Sequence, residues 1–326
     1  MANLLAGDVG GTTTRLGLFE RTAARPRCVA TRQFTTLDYP DLPSMIAAFL
    51  ALEGRTGLSM RAACFGVAGP VNGHRASLTN IPFTVDAGDI ARAFGLSGAR
   101  LLNDLEAMAY ALPVLEDAEL HVLQPGRPPN TNGRRNVAVL AAGTGLGEAF
   151  LHDVDGRYVA VASEGGHADF AARTGREIEL LRHLVARFGR AQVEDVLSGR
   201  GLVDIHRVCH TGECKAAIDL DDPGAPSAIS TAALERRCNG CVATLDLFVE
   251  AYGAEAGNLA LRTMALGGVF IGGGIAPKIL PALSDGAFIR AFRAKAPFDA
   301  MLDAVPVKVI LANAGLLGAA NFCSRI

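Results

Sequence analysis

Leu4-Leu5-Ala6-Gly7-Asp8-Val9-Gly10-Gly11-Thr12-Thr13-Thr14-Arg15-Leu16-Gly17-Leu18-Phe19 is an apolar run, a glycine pair, and a second run in which apolar residues alternate. Glycine reaches the backbone angles that a tight turn demands, so the stretch predicts a β-hairpin. The pattern returns at Val137-Ala138-Val139-Leu140-Ala141-Ala142-Gly143-Thr144-Gly145-Leu146-Gly147-Glu148-Ala149-Phe150-Leu151. Two strand–glycine turn–strand units about half a chain apart predict a duplicated architecture, each half opening on a similar hairpin.

Between the hairpins the elements alternate. Helical periodicity covers 44–53, 86–94 and 104–112, and short apolar strand runs cover 61–67 and 99–102. Alternation of this kind predicts an α/β domain on a mixed sheet. Residues 124–135 are polar and rich in Pro, Gly and Asn, and read as an exposed loop. Residues 177–188 and 234–265 are strongly helical, the latter as two helices. The chain closes with a strand at 307–311 and a helix at 315–322, both expected to return to the first domain. The resulting division is a small α/β domain, 1–110 plus 310–326, and a large α/β domain, 111–309.

With 326 residues, 50% of them hydrophobic and 20% charged, the chain is long enough for two ordinary domains. Lys plus Arg (31) nearly balances Asp plus Glu (33), which leaves no broad attraction to nucleic acid or anionic lipid. None of the lysines, Lys215, Lys278, Lys295 and Lys308, follows a GxxxxG run, which excludes a Walker-type P-loop. The first residues lack a basic stretch and a long apolar run, and 263–276 is too short and glycine-rich to span a bilayer. Seven cysteines without an export signal read as reduced thiols, so the expected location is the cytoplasm.

Several constellations could carry chemistry. Gly7 to Thr12 joins an acid to a tight turn lined with hydroxyls. Backbone N–H groups in such a turn can converge on phosphate oxygens while Asp8 holds a hydrated Mg²⁺. Gly143 to Gly147 is a second candidate cradle, and two such turns could clamp the β- and γ-phosphates. It lacks GxGxxG spacing and a following helix, so a dinucleotide reading is weak. Asn103-Asp104 falls where a strand ends and a helix begins. Asp104 could be a helix cap alone, but that role leaves Asn103 unexplained, and an amide beside a carboxylate suits a polyol. Glu164 and His167 flank Gly165-Gly166, so both side chains could meet vicinal hydroxyls. Glu194 reads on its own as a surface helix acid. Gly267 to Gly274 brackets a buried strand with glycines that could admit adenine, though close strand packing explains them equally.

A zinc reading competes elsewhere. His206, Cys209, His210 and Cys214 lie close together, and Cys238-Asn239-Gly240-Cys241 is a CxxC. The two histidines would share a helix face, a spacing seen in zinc sites. Cys238 and Cys241 fall inside a strongly helical stretch, where thiols commonly serve as packing, and the packing reading is preferred.

The stretches GDVGGTTTRLGLF, LLNDLEAMAYAL, AAGTGLGEAF, SEGGHADF, VLSGRGLV and GGVFIGGGIAP follow one another in the order and spacing of the bacterial ATP-dependent glucokinase family. The chain resembles that family from Leu4 to Leu317. The resemblance implies the actin-like ATPase (ribonuclease H-like) fold, α/β with mixed sheets flanked by helices, two domains and an interdomain cleft. It implies an ATP:hexose 6-phosphotransferase, using ATP and Mg²⁺ to phosphorylate D-glucose at the 6-hydroxyl, as a homodimer. Asp104 matches the catalytic base, and Asn103, Glu164, His167, Glu194 and Asn80 match sugar ligands. Asp8, Gly10, Gly11, Thr12, Thr13, Gly143, Thr144 and Gly145 match the phosphate loops, with Asp8 holding the metal through water. Gly268 and Gly273 match the adenosine region. Thr13-Thr14 stands where many relatives carry Asn-Ala, and the CxCGxxGCxE zinc signature of the related repressor/kinase group is absent. The alternatives are a kinase for mannose, fructose or an N-acetylhexosamine, or a non-catalytic sugar sensor of the same fold.

Overall fold

The computed structural model describes residues 3–78, 81–127, 135–210, 212 and 214–326. The first stretch of chain runs β1 (Asn3–Val9), β2 (Thr13–Glu20), β3 (Arg27–Thr35), α1 (Leu42–Leu52), β4 (Ala62–Val67), β5 (Val71–Asn72), β6 (Arg75–Ser77), β7 (Thr84–Asp86), α2 (Ala87–Phe94), β8 (Gly98–Asn103) and α3 (Asp104–Ala111). It continues with β9 (Leu120–Gln124), β10 (Val137–Ala142), β11 (Leu146–Val154), β12 (Arg157–Ser163), α4 (Gly175–Phe188), α5 (Val193–Val196), α6 (Gly199–Cys209), α7 (Ala225–Leu234) and α8 (Asn239–Thr263). It ends with β13 (Gly268–Gly272), α9 (Leu280–Ser284), α10 (Ala287–Arg293), α11 (Asp299–Asp303), β14 (Val307–Ile310) and α12 (Ala314–Cys323).

Two compact units result: Met1–Asp117 with Ala160–Ala162 and Ala312–Ile326, and Ala118–Val159 with Ser163–Leu311. The first is built on the sheet β3-β2-β1-β4-β8, with a small sheet β5-β6-β7. β1 and β2 pair antiparallel across the glycine turn, while β1, β4 and β8 run parallel. Fully buried Leu5, Leu16, Met45, Ile46, Phe49 and Phe65 form its core between the sheet and α1. Helix α2 starts where Asp86 accepts hydrogen bonds from the N–H groups of Gly88 and Asp89, and stops at Gly95 in the left-handed region.

The second unit is built on β12-β11-β10-β13-β14-β9. Its first five strands repeat the order of the first sheet: an antiparallel pair across a glycine turn, β10 and β11, followed by parallel β13 and β14. The duplication read from the two hairpins is therefore real, and the chain has the α/β class with mixed sheets expected of it.

Three expectations are corrected. Residues 239–263 form one helix of 25 residues, not part of a pair. Its interior glycines Gly253 and Gly257 lie against the backbone of Phe288 and Phe292 in α10, so they serve close packing and not a break. The strand 307–311 does not return to the first unit, because β14 pairs with β13 and β9 in the second sheet; only α12 returns. Gln124 is the last residue of β9, not the start of a loop. It is buried, and its amide donates to the carbonyls of Leu302 and Val305 at 2.8 and 2.6 Å. Residues 128–134 of the expected loop lie outside the described residues. No helix among the described residues is long and apolar enough to cross a membrane.

Candidate active site

In the first unit, the carboxyl ends of three parallel strands collect the predicted residues. Register pairs Asp8 with Gly66 and Val67 with Asn103, so Asp8, one residue from the end of β1, and Asn103, the last of β8, lie one strand apart. Ends of parallel strands are where open α/β sheets take ligands, because helices begin there with unpaired N–H groups.

The turn after β1 is stiff. Gly10 N–H donates to Thr13 carbonyl at 3.0 Å, and Thr36 Oγ1 donates to Gly10 carbonyl at 2.6 Å. With that proton committed, Thr36 accepts from Thr14 Oγ1 at 3.0 Å. Gly11, Thr12 and Thr13 stay accessible on this frame. Burial pushes the Asp8 carboxyl above the usual aspartate range, with Arg15 pulling it back. Its carboxylate lies at the first turn of α12, where a Cβ on Gly315 would come within 3.0 Å of Oδ2. Gly315 is a residue the sequence reading missed, since nothing local ties position 315 to position 8.

Asn103 caps α3, its Oδ1 accepting from Leu105 N–H at 3.0 Å while Glu106 Oε2 accepts from Asn103 N–H at 3.2 Å. The sequence reading gave Asn103 no capping role; the structure reverses the assignment. Asp104 is the first residue of the helix, with Oδ1 at 2.9 Å from Leu105 N. Asn103 Nδ2 is 3.5 Å from Gly69 carbonyl. Asn80 lies outside the described residues.

In the second unit, several loops gather at one corner. The turn Gly143-Thr144-Gly145 closes by Gly143 N–H donating to Gly145 carbonyl at 2.8 Å. Gly143 carbonyl accepts from Gly199 N–H at 2.9 Å, bringing the start of α6 against the turn. α6 is capped by Ser198, whose hydroxyl accepts from Gly201 N–H at 3.1 Å. A helix start beside a glycine turn is a place for anionic oxygens. Gly273 joins the same corner: it has φ +83°, and a Cβ there would sit 2.2 Å from Ala142 carbonyl oxygen. Tyr252, fully buried in α8, pins both strand ends, with its hydroxyl 3.2 Å from Ala142 N and 3.3 Å from the carbonyls of Leu140 and Gly272. Sequence reasoning missed Tyr252 and Gly199, which sit far along the chain from the turns they support.

Glu164 and His167 come together, His167 Nε2 lying 3.9 Å from Glu164 Oε2, both exposed. His167 Nδ1 lies 2.8 Å from Gln192 Oε1, which accepts its proton and leaves the Nε2 lone pair available. Gly165 and Gly166 are needed for a different reason from the one expected. Cβ atoms there would lie 2.2 Å from Glu148 Oε2 and 2.3 Å from Leu146 carbonyl oxygen, so the pair seats this loop on β11. Glu148 is 1% exposed, its Oε1 has no hydrogen-bond partner among the described residues, and burial with nearby Glu255 pushes its carboxyl up to about 7. Glu194 accepts from Leu146 N–H at 2.9 Å, so one oxygen braces the glycine turn.

Gly268 is not brought to this corner. It opens β13, opposite Val137, and Gly272 closes the strand about 13 Å away at the usual rise per residue. Its φ of +139° shapes the entry of the strand beside Pro306.

Residues 5–326 match the glucokinase family profile. A glucokinase from Nostoc punctiforme is 39% identical over 349 residues, covering all of both chains. The chain belongs to the glucokinase family. The crystal structure of a glucokinase from an Antarctic psychrotroph superposes with a TM-score of 0.87 at 29% identity, covering all of both chains. A family glucokinase from Streptomyces griseus of the ROK group, solved with glucose and AMPPNP, shares the fold over all of both chains with a TM-score of 0.64 at 22% identity.

Proposed function

We propose that this chain is a glucokinase that transfers the γ-phosphoryl group of ATP to the 6-hydroxyl of D-glucose. Membership of the glucokinase family along nearly the whole chain carries the reading. The two braced glycine turns and the Asn103-Asp104 strand end are consistent with it.

Asp104 accepts the proton of the 6-hydroxyl as that oxygen approaches the γ-phosphorus. Phosphoryl transfer depends mostly on positioning and charge neutralisation, and a positioned base typically adds ~10²- to 10⁴-fold. Asn103 orients a sugar hydroxyl through the part of its amide not used as a cap. Glu164 and His167 hydrogen-bond vicinal hydroxyls, Glu164 accepting and His167 accepting at Nε2; Glu194 and Asn80 complete the sugar ligands. Backbone N–H groups at Gly10, Gly11, Thr12, Gly143, Thr144 and Gly145 bind phosphate oxygens, with the start of α6 adding its dipole.

The residues present fit Mg²⁺. Asp8 is a carboxylate whose burial penalises its charge, and that cost falls when a cation neutralises it. Asp8 would hold the ion through water, and the ion supplies charge neutralisation at the phosphate oxygens. The enzyme works in the cytoplasm as a homodimer.

A coupled ADP-release assay with a panel of hexoses tests the reading. Glucose should have the highest kcat/KM, and a hexose lacking a hydroxyl bound by Glu164 or His167 should fall far below it. ADP release independent of sugar, or no turnover with any hexose, would overturn it. Analytical ultracentrifugation measures the dimer.

A further inference from the structure

Five metal-ligating side chains meet where α6 ends and α8 begins, apart from every residue assigned to sugar or nucleotide. Cys214 Sγ lies 3.8 Å from Cys238 Sγ and 3.9 Å from Cys241 Sγ, and His210 Nε2 lies 3.2 Å from Cys238 Sγ. The donor atoms of His210, Cys214 and Cys238 all lie within 4.8 Å of one another, as do those of His206, Cys214 and Cys241. Cys214 is common to both triads. A tetrahedral zinc with ordinary Zn–S bonds holds its sulfurs about 3.8 Å apart, the spacing seen for both pairs around Cys214.

The backbone is arranged for this cluster. The packing reading placed Cys238 inside a helix; instead it is the residue before α8, extended at φ −145° and ψ 124°, and its side chain caps nothing. Cys241 lies in the first turn, so the CxxC spans a helix start, where an extended residue and a helical one can turn two thiols to one point. Gly240 between them leaves room for a ring: a Cβ there would lie 1.9 Å from His210 Cδ2. A second imidazole stands behind the first, the His206 and His210 ring centroids being 4.7 Å apart. Thr244 Oγ1 donates to Gly240 carbonyl at 2.7 Å and therefore accepts from His206 Nδ1 at 3.0 Å. That hydrogen bond fixes the tautomer and orientation of His206, and with them the ring against which His210 packs. Cys209 is not part of the cluster; its sulfur accepts from Arg176 Nη2 at 3.6 Å.

We propose that Cys214, Cys238, Cys241 and His210 hold a structural zinc ion, with His206 a positioning residue packed against His210. Three thiolates and an imidazole, drawn from two triads that share Cys214, are a soft donor set that suits zinc over magnesium or calcium. Each thiol gives up its proton to solvent on binding, and the ion ties the segment after α6 to the start of α8. The site is distinct from any Mg²⁺ held by Asp8, which lies in the other unit and offers oxygen.

The test uses the full-length protein purified with reductant and without chelator. Elemental analysis should find about one zinc per chain. Cys214→Ser and Cys241→Ser should lose nearly all of it, while Cys209→Ser keeps it. Should the serine variants fail to fold, the unmodified protein decides alone: stripped of metal, reduced and titrated with Co²⁺, it should develop the intense visible bands of tetrahedral thiolate–cobalt, which zinc then abolishes. A reduced, folded protein that carries no zinc and shows no such bands overturns the proposal. Full zinc content in Cys214→Ser overturns it as well, and so does a disulfide among these cysteines that, once reduced, leaves no capacity for cobalt.

Discussion

The sheets β3-β2-β1-β4-β8 and β12-β11-β10-β13-β14 share strand order and carry a glycine turn at the same corner, yet they present different chemistry there. In the first, the strand ends supply carboxylates: Asp8 one residue from the end of β1 and Asp104 just past β8. In the second, the counterparts of β1 and β8 are β10 and β14, which end in Ala142 and Ile310, and the glycines that follow β10 and close β13, Gly143 and Gly272-Gly273, present backbone. The carboxylates of the second unit come instead from inserted elements: Glu164 before a short turn and Glu194 on α5. One backbone solution therefore serves two tasks. Both glycine turns offer backbone N–H groups, which suit anions; the first adds strand-end carboxylates beside them.

Breaking the acidic corner should have the largest effect. Asp104→Asn should retain glucose binding and lose at least ~10²-fold in kcat, read by steady-state kinetics with glucose affinity measured separately. Normal turnover in that variant would remove Asp104 from the chemistry. Asp8→Asn should cost about 10²-fold in kcat through lost charge stabilisation. Its folded pKa is raised, so the stability linked to this carboxyl is present when it is protonated and lost as pH rises through the folded pKa. The amide removes that loss, so at neutral pH the urea midpoint of ligand-free Asp8→Asn should equal or exceed that of the parent. A lower midpoint would show that Asp8 is structural and that the two corners are more alike than proposed.

Breaking the glycine corner should act on stability first. Gly273→Ala forces φ +83° on a residue with a Cβ that meets Ala142 backbone, and should cost about 3 kcal/mol in urea unfolding together with a raised KM for ATP. Glu148→Gln should give the smallest effect. Burial and nearby Glu255 push the Glu148 carboxyl from its ordinary 4.5 up to about 7, so stability falls between those two pH values as the buried group is forced to ionise. The variant's stability advantage over the parent should grow by about 2.5 kcal/mol between pH 5 and pH 8. Equal midpoints at both would mean that Glu148 is solvated or paired.

Both hairpins were readable because a glycine pair between apolar runs is a local signal that needs no partner. The elements around them were readable for the same reason, from helical periodicity at 44–53 to the strand at 99–102. The exceptions are equally physical. Gly253 and Gly257 in α8 look like weak points until α10 packs against them. Asn103 looked like a sugar ligand with no structural duty until α3 began one residue earlier than a cap at Asp104 would place it.

Composition, glycine placement and the order of six motifs were enough to determine the α/β class, the duplication and the family of this chain, because each depends on neighbours within a few residues. Tertiary structure decided the rest. That Gly315 makes room for Asp8, that Tyr252 holds Gly272 and Ala142 together, and that Cys214 meets Cys238 and Cys241 are pairings across long stretches of chain. Such contacts form only when a packed core brings distant segments to van der Waals distance, and no local pattern of residues encodes which segments those will be.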